Sequence, residues 1–201
     1  LKEFNNDYAF AALAANGSVM AWGQNANGGE LGSASSALNG DIDVTHIYSN
    51  NAAFAALRAD GSVVSWGNAS AGGDSSAVAA ALNGTLNVTQ VFSTETAFAA
   101  LREDGSVVTW GDLATGGDSS AVASKLNGDL DVSVVYSNMN AFAALRTDGS
   151  VVTWGFDLFG GNSSAVASQL SGTMDVTEVV ATGSAFAAVR TDGSVVSWGS
   201  A

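Results

Sequence analysis

The chain has no cysteine and no proline among its 201 residues, a single histidine, and only 6 lysines and arginines against 19 aspartates and glutamates. Without cysteine there can be no disulfide, no cysteine-based zinc site and no thiol nucleophile, and thiols say nothing about the redox compartment. The shortage of basic residues leaves a net charge of −13, which repels phosphate backbones and anionic membranes. Nucleic acid is therefore not expected as a partner. No apolar run is long enough to span a bilayer, and no targeting segment is recognisable, so membrane insertion is not expected either. What is present is 47% hydrophobic and 12% charged residues with 24 glycines, enough apolar material for a core. The length allows one large all-β domain or two ordinary ones.

The decisive feature is a repeat. Phe10, Phe54, Phe98, Phe142 and Phe186 are spaced by 44 residues, as are Gly17, Gly61, Gly105, Gly149 and Gly193, and Trp22, Trp66, Trp110, Trp154 and Trp198. A fixed period of this size is the mark of stacked supersecondary units, none of which can bury its apolar surface alone. The repeat cores cover about residues 1–23, 44–67, 88–111, 132–155 and 176–199, within a single repeat domain over 1–201.

Within each core an Asp-Gly pair such as Asp60-Gly61, or Asn16-Gly17 in the first unit, separates two β-rich runs. Both residue types tolerate positive φ, so the pair is expected to close a tight hairpin. In the outgoing run Val64 and Trp66 share one face and Val63 and Ser65 the other. The incoming run sets Ala55 and Leu57 opposite Phe54 and Ala56. Both faces are apolar, which requires a sheet sandwiched between neighbouring sheets. A third strand precedes each hairpin, as in DVTHIYS from Asp43 and DVTEVVA from Asp175, and continues at the N-terminus over Leu1 to Phe4. Its variable position, Lys2, His46, Gln90, Val134 and Glu178, is expected to face outward. The connection from Gly72 reads as an irregular segment with a helical turn capped by Asp74 or Ser75, with a short fourth strand as the competing reading.

The string formed by Trp22, Gly23, Asn25, Gly28, Leu31 and Gly32 resembles the repeat signature of the regulator of chromosome condensation (RCC1) family. The runs AALREDGSVVTWG from Ala99 and AALRTDGSVVTWG from Ala143 are similar also to the related repeat of the beta-lactamase inhibitor protein II type. The resemblance covers nearly the whole chain. It implies an all-β fold, a β-propeller of about five blades built from 44-residue repeats, with an open repeat array or β-solenoid as the alternative. Relatives of this kind have more blades, so five cores are expected to be either a five-bladed ring or an excised part of a longer array. The inhibitor's binding aromatics lie on the turn before the middle strand. Here those turns read SNN, TET, NMN and TGS, from Ser49, Thr94, Asn138 and Thr182. Neither lactamase inhibition nor nucleotide exchange carries over from the scaffold.

Recurring residues read first as structural. The five tryptophans, identically placed, are expected to pack rather than to stack on carbohydrate. Arg58, Arg102, Arg146 and Arg190 are expected to pair with the aspartate two residues on, in preference to gripping an acidic partner. His46, alone, reads as an ordinary surface residue, and Ser75, Ser119 and Ser163 as caps. Asp41, Asp43, Asp129 and Asp131, set among Gly and Asn, are weak calcium candidates, with acidic solubilisation the preferred reading. No cofactor is expected. Phe156, Leu158 and Phe159 break the pattern of the fourth unit by placing three large apolar side chains in a loop, which makes them the candidate partner site.

No unrepeated constellation of acid, base or nucleophile exists, so an enzyme is not expected. The function these features imply is a non-catalytic binding or adhesion module of a secreted or cell-surface microbial protein, holding a protein or glycan through propeller loops. The alternative is a structural unit of a longer extracellular array or fibre, which would self-associate end to end.

Overall fold

A computed structural model describes residues 1–200. Five antiparallel sheets follow one another, each of three strands in sequence order. The strands are Lys2–Asn5, Ala9–Leu13 and Val19–Gly23 in the first blade, and Val44–Ser49, Ala53–Arg58 and Val63–Gly67 in the second. The third blade has Val88–Ser93, Ala97–Arg102 and Val107–Gly111, and the fourth Val132–Ser137, Ala141–Arg146 and Val151–Gly155. The fifth has Val176–Ala181, Ala185–Arg190 and Val195–Gly199. Successive first strands approach one another and form the inner side, while each third strand lies outermost, against the connecting strap.

The hairpins are wider than a two-residue turn. Arg58 N–H donates to the Ser62 carbonyl at 2.9 Å, so three residues form the loop. Only Gly61, at φ 74°, enters the left-handed region, and no residue other than glycine does so. Asp60 instead accepts from the Ser62 N–H and hydroxyl through Oδ1, which fixes the turn by side-chain bonding. Each strap holds two short 3-10 segments, such as Ala69–Ala71 and Ser76–Ala81, and no fourth strand. Ser75 occupies the N-cap position but its hydroxyl caps nothing; the Asp74 carboxylate accepts from Ser76 N–H at 2.9 Å. Asp118 and Asn162 act in the same way on Ser120 and Ser164.

The core is four copies of one joint. Between the first two blades, Ala9, Ala11 and Val19 meet Ile47, Phe54, Ala56 and Trp66, with Ala34 and Leu38 of the strap wedged between. Phe54 and Trp66 stack with centroids 5.1 Å apart, and the Trp66 indole N–H donates to the Gly28 carbonyl at 3.2 Å. Gly28, at φ 97°, lets the loop approach so closely that a Cβ would lie 2.7 Å from the Phe54 ring. Trp110, Trp154 and Trp198 repeat the arrangement on the carbonyls of Gly72, Gly116 and Gly160. Burying each such tryptophan contributes about 2–3 kcal/mol. The faces are those the alternation requires: Phe54, Ala56, Val64 and Trp66 point to the preceding blade, Ala53, Ala55, Leu57 and Val63 to the following one.

Five blades give four joints, and the arc stays open. Among the described residues no sheet and no core cluster joins the fifth blade to the first. Phe10 and Trp22, which still stack at 5.6 Å, are therefore 49% and 44% exposed. Four of the five tryptophans have the packing role their repetition implies; Trp22 has only its partner ring.

Candidate functional site

The antiparallel register gives the arc two different rims. Because Ala53 pairs with Gly67, the turn between inner and middle strands and the loop after Trp-Gly share one rim; the Asp-Gly hairpins lie at the other.

On the first rim the inner turns form a hydrogen-bonded ladder at 44-residue steps. Asp7 N–H donates to the Asn51 carbonyl, Asn51 to Glu95, Glu95 to Met139 and Met139 to Gly183, over 2.8 to 3.4 Å. The first residue of each of the first four turns also ties down the outer loop. Asn50 Nδ2 donates to the Ala71 carbonyl at 2.7 Å while its Oδ1 accepts from Ala52 and Ala53 N–H. Asn6 and Asn138 do the same for Asn27 and Phe159, and Thr94 does so for Thr115. Side-chain bonds from short polar residues thus hold a rim of irregular backbone in place. The ladder encloses a shallow bowl of about 340 Å³, lined by Asn6, Asp7, Asn51, Glu95 and Met139 among others.

The candidate loop residues lie on this rim. Phe156 precedes the 3-10 turn Asp157–Phe159, Phe159 ends it, and the two rings meet edge to face at 5.5 Å. Phe159 is half-buried against the joint between the fourth and fifth blades, whereas Phe156 is exposed and Leu158 is 68% exposed. The same rim carries three further exposed apolar side chains that sequence reasoning passed over: Tyr8, Leu113 and Met139. Their signal was available, since Tyr8 replaces the small residues Ala52 and Thr96 and Met139 replaces Asn51 and Glu95. Reading the turns as uniformly small and polar hid it.

The other rim is charged and tightly bonded. Arg58 donates through Nε to the Ser62 hydroxyl at 2.8 Å, through Nη2 to Asp60 at 2.7 Å and through Nη1 to the Ala37 carbonyl at 3.1 Å. Arg102 and Arg146 stand 3.7 and 3.8 Å from Asp104 and Asp148. Burial works to raise the Asp60 carboxyl, but hydrogen bonds from Arg58 and Ser62 and the guanidinium charge outweigh it and bring it down to about 2. Arg58, Arg102 and Arg146 thus form the local pairs their spacing implied, whereas Arg190 donates to the Ser194 hydroxyl at 2.8 Å and makes no ion pair with Asp192 among the described residues.

The calcium candidates lie on this rim too. Asp41 and Asp129 each accept from an Asn side chain, Asn39 and Asn127, at 2.7 Å. Asp43 and Asp131 lie against Gly17 and Gly105 of the preceding hairpins. Each pair belongs to a different joint. Among the described residues no three His, Asp or Glu side chains gather where one metal ion could hold them.

His46 is partly buried on the inner strand, edge-on to Phe4 at 5.6 Å and beside Tyr48 at 4.5 Å. Burial first, then the charge of Lys2, lowers its pKa below the ordinary value. No carboxylate orients it, as a general base would require.

No protein-family model matches the sequence, and no curated protein matches it. Solved structures do. The receptor kinase CR4 ectodomain of Physcomitrella patens shares 18% identity at a TM-score of 0.58, over 96% of this chain and 50% of that one. Prp20p of Saccharomyces cerevisiae, the yeast RCC1 protein, shares 17% at 0.58, over 98% and 56%. Human WBSCR16 shares 16% at 0.58, over 99% and 61%. The chain thus spans between 50% and 61% of the length of these three. The molecule is a β-propeller-type repeat protein. Its five three-stranded blades have the RCC1-type repeat fold, as the Trp-Gly signature implied.

Proposed function

We propose that residues 1–201 act as one repeat domain, a non-catalytic binding or adhesion module that holds a protein or glycan on the rim bearing the Trp-Gly loops. The observation that carries this reading is the gathering of Leu113, Met139, Phe156 and Leu158 as exposed apolar side chains on one rim, beside a polar bowl. Apolar anchors around hydrogen-bonding groups suit recognition of a folded partner or a sugar face. Phe156 and Leu158 make the contact, and Phe159, half-buried, sets the loop's shape beneath them. The non-catalytic reading is supported by the regular repetition of the polar residues and by the aromatic surroundings of His46, which lies against Phe4 and Tyr48. Yeast RCC1 is described as binding Gsp1p, histones and Kap60, which favours a protein as the partner class here. A secreted or cell-surface microbial setting agrees with the charge of −13, and the CR4 structure is itself a receptor ectodomain. Among the described residues no helix is long and apolar enough to cross a membrane.

The test is a glycan array and a protein-binding screen with the wild type and the Leu158→Ser variant. Loss of the wild-type signal, with unchanged thermal unfolding, supports the reading. Equal binding by the two proteins removes the loop from it.

A further inference from the structure

The outermost strand of a blade pairs on one side only, and the strap takes up just the first rung of its other edge. Val63, Val107 and Val151 N–H each donate to a strap leucine carbonyl, of Leu82, Leu126 and Leu170, at 2.9 Å. In the fourth blade Ser171 adds an antiparallel bridge to Ser150. Beyond that point the strap leaves the edge as the 3-10 segment Ser164–Gln169. The Val151 C=O, Thr153 N–H, Thr153 C=O and Gly155 N–H then follow along the edge with no partner among the described residues. Thr153 is only 8% exposed. Buried backbone groups require partners, so this row is a template for another strand.

The edge forms the floor of a groove of about 620 Å³, a volume typical of ligand sites. The strap entering the blade supplies one wall, with Asp118, Ala121 and Lys125, and the strap leaving it supplies the other, with Ala167 and Leu170. Lys125 and Arg146 stand at the hairpin end of the groove, Asp118 and Asp157 at the Trp-Gly end. The second blade has the equivalent groove, of about 500 Å³, but Ala37 stands where the fourth has Lys125 and Asp74 where it has Asn162. There Arg58 is occupied by the Ala37 carbonyl and Asp60. Arg146 instead hydrogen-bonds only through Nε, to Ser150 Oγ at 2.8 Å, and keeps 3.8 Å from Asp148. Its Nη groups are free to take a further carboxylate.

The geometry points to the fourth-blade groove as a binding site for an extended segment of a partner protein, added antiparallel to Val151–Gly155 as a fourth strand. The free groups alternate acceptor, donor, acceptor, donor, which is the pattern a peptide backbone meets and a simple anion does not. Five residues of strand span about 14 Å, so the segment has five to seven residues. Running antiparallel, it enters at the Trp-Gly rim and leaves at the hairpin rim. A basic residue at its start therefore faces Asp118 and Asp157, and an acidic residue at its end faces Lys125 and Arg146. Ala121 and Ala167 leave the space its backbone fills. The site does not rest on the rim reading, since it uses none of Leu113, Met139, Phe156 and Leu158.

Backbone pairing and charge leave separate signatures. A strand bonds through alternate residues, so N-methylation of one alternate set of its amides removes the donors while methylation of the other set points to solvent. The charges at the two ends fix direction, and salt weakens them by screening.

The probe is the peptide acetyl-Lys-Thr-Val-Thr-Val-Thr-Glu-amide, titrated into the isotope-labelled chain and followed by amide NMR. Shifts centred on the Thr153 and Gly155 amides are expected, with both protected from exchange. Lys125→Ala, which installs the residue type of Ala37 and Ala81, should weaken binding about tenfold. Ala167→Phe, which fills the groove, should abolish it with thermal unfolding unchanged, and Leu158→Ser should leave it intact even where it abolishes binding at the rim. The peptide with Lys and Glu exchanged should bind about tenfold more weakly. Absence of shifts at Thr153 and Gly155 at millimolar peptide overturns the proposal, as does equal binding by the two charge orders or equal loss from both N-methylated sets. Sodium acetate that reproduces the shifts makes the groove a site for a simple anion and rejects the strand. Self-association of the wild type that Ala167→Phe removes assigns the groove to a second copy and rejects it too.

Discussion

Phe54 and Phe10 occupy the same place in the repeat, stack on the equivalent tryptophans Trp66 and Trp22, and end up 0% and 49% exposed. Both sit in the same run, AFAAL, from Ala9 and from Ala53; the difference is a neighbour. A blade in this fold is a sheet with two apolar faces, and its stability belongs to the joints rather than to the blade. The internal faces are closed by a stacked aromatic pair, an indole hydrogen bond and a strap leucine together, while the end faces keep only their own side chains.

Truncating equivalent residues on the two sides of that contrast should separate them most. Trp110→Ala removes a buried ring and its bond to the Gly72 carbonyl, and is expected to cost about 3–5 kcal/mol in urea unfolding. Trp22→Ala, half-exposed and without that bond, should cost about 1 kcal/mol or less. Similar losses from both would show that the end face is covered in solution.

The hairpin glycines offer a second contrast. Gly149 and Gly193 share left-handed backbone, at φ 74° and 79°, but a Cβ on Gly149 would lie 2.5 Å from Asp175 Cβ and one on Gly193 would be free. Gly193→Ala therefore measures backbone strain alone, about 1–3 kcal/mol. Gly149→Ala should add about 1–3 kcal/mol for overpacking the joint. Chevron or equilibrium denaturation of the pair would give the difference directly.

A smaller effect should come from the outer strands of the internal blades. Thr109 and Thr153 donate to the carbonyls of Gly117 and Gly161 and bond the hydroxyls of Ser119 and Ser163, whereas Ser65, in the same position, has a buried hydroxyl with no partner. Ser65→Thr is expected to gain about 0.5–1 kcal/mol by reaching Gly73. An unchanged melting temperature would mean the hydroxyl is already satisfied.

The smallest expected effect is in acid. Asp60 is held at about 2 by Arg58 and Ser62, so it stabilises the fold above the unfolded carboxylate value and that contribution is lost as pH falls through the folded value. Asp60→Asn should flatten stability against pH between about 4 and 2. Being a partly exposed pair, it should contribute no more than about 1 kcal/mol at neutral pH. A stability curve with the wild-type slope would place the acid sensitivity elsewhere.

Much of the molecule was legible because the period repeats without insertion. Phe54 and Ala56 could be set opposite Ala55 and Leu57 by alternation alone, and the structure closes its joints on those faces. The hairpin was legible in place but not in form, since a three-residue loop and a two-residue loop both need one glycine in the left-handed region and only the Arg58–Ser62 bond tells them apart. The cap of the strap was legible only as a choice between Asp74 and Ser75, which backbone direction decided. At the candidate site, Phe156, Leu158 and Phe159 stood out because they broke the pattern. Tyr8 and Met139 break it too but were passed over with turns read as small and polar, and that they share a rim with Leu113 depends on blades meeting side by side and not on neighbours along the chain.

The amino-acid sequence by itself determined the unit: a three-stranded sheet, apolar on both faces, recurring five times, because alternation and turn chemistry act over a few residues and are written there. The tertiary structure alone decided that the five units form an arc with one polar-bowl rim and one charged rim. The angle between neighbouring blades is the sum of many side-chain contacts across each joint, and no local pattern encodes it.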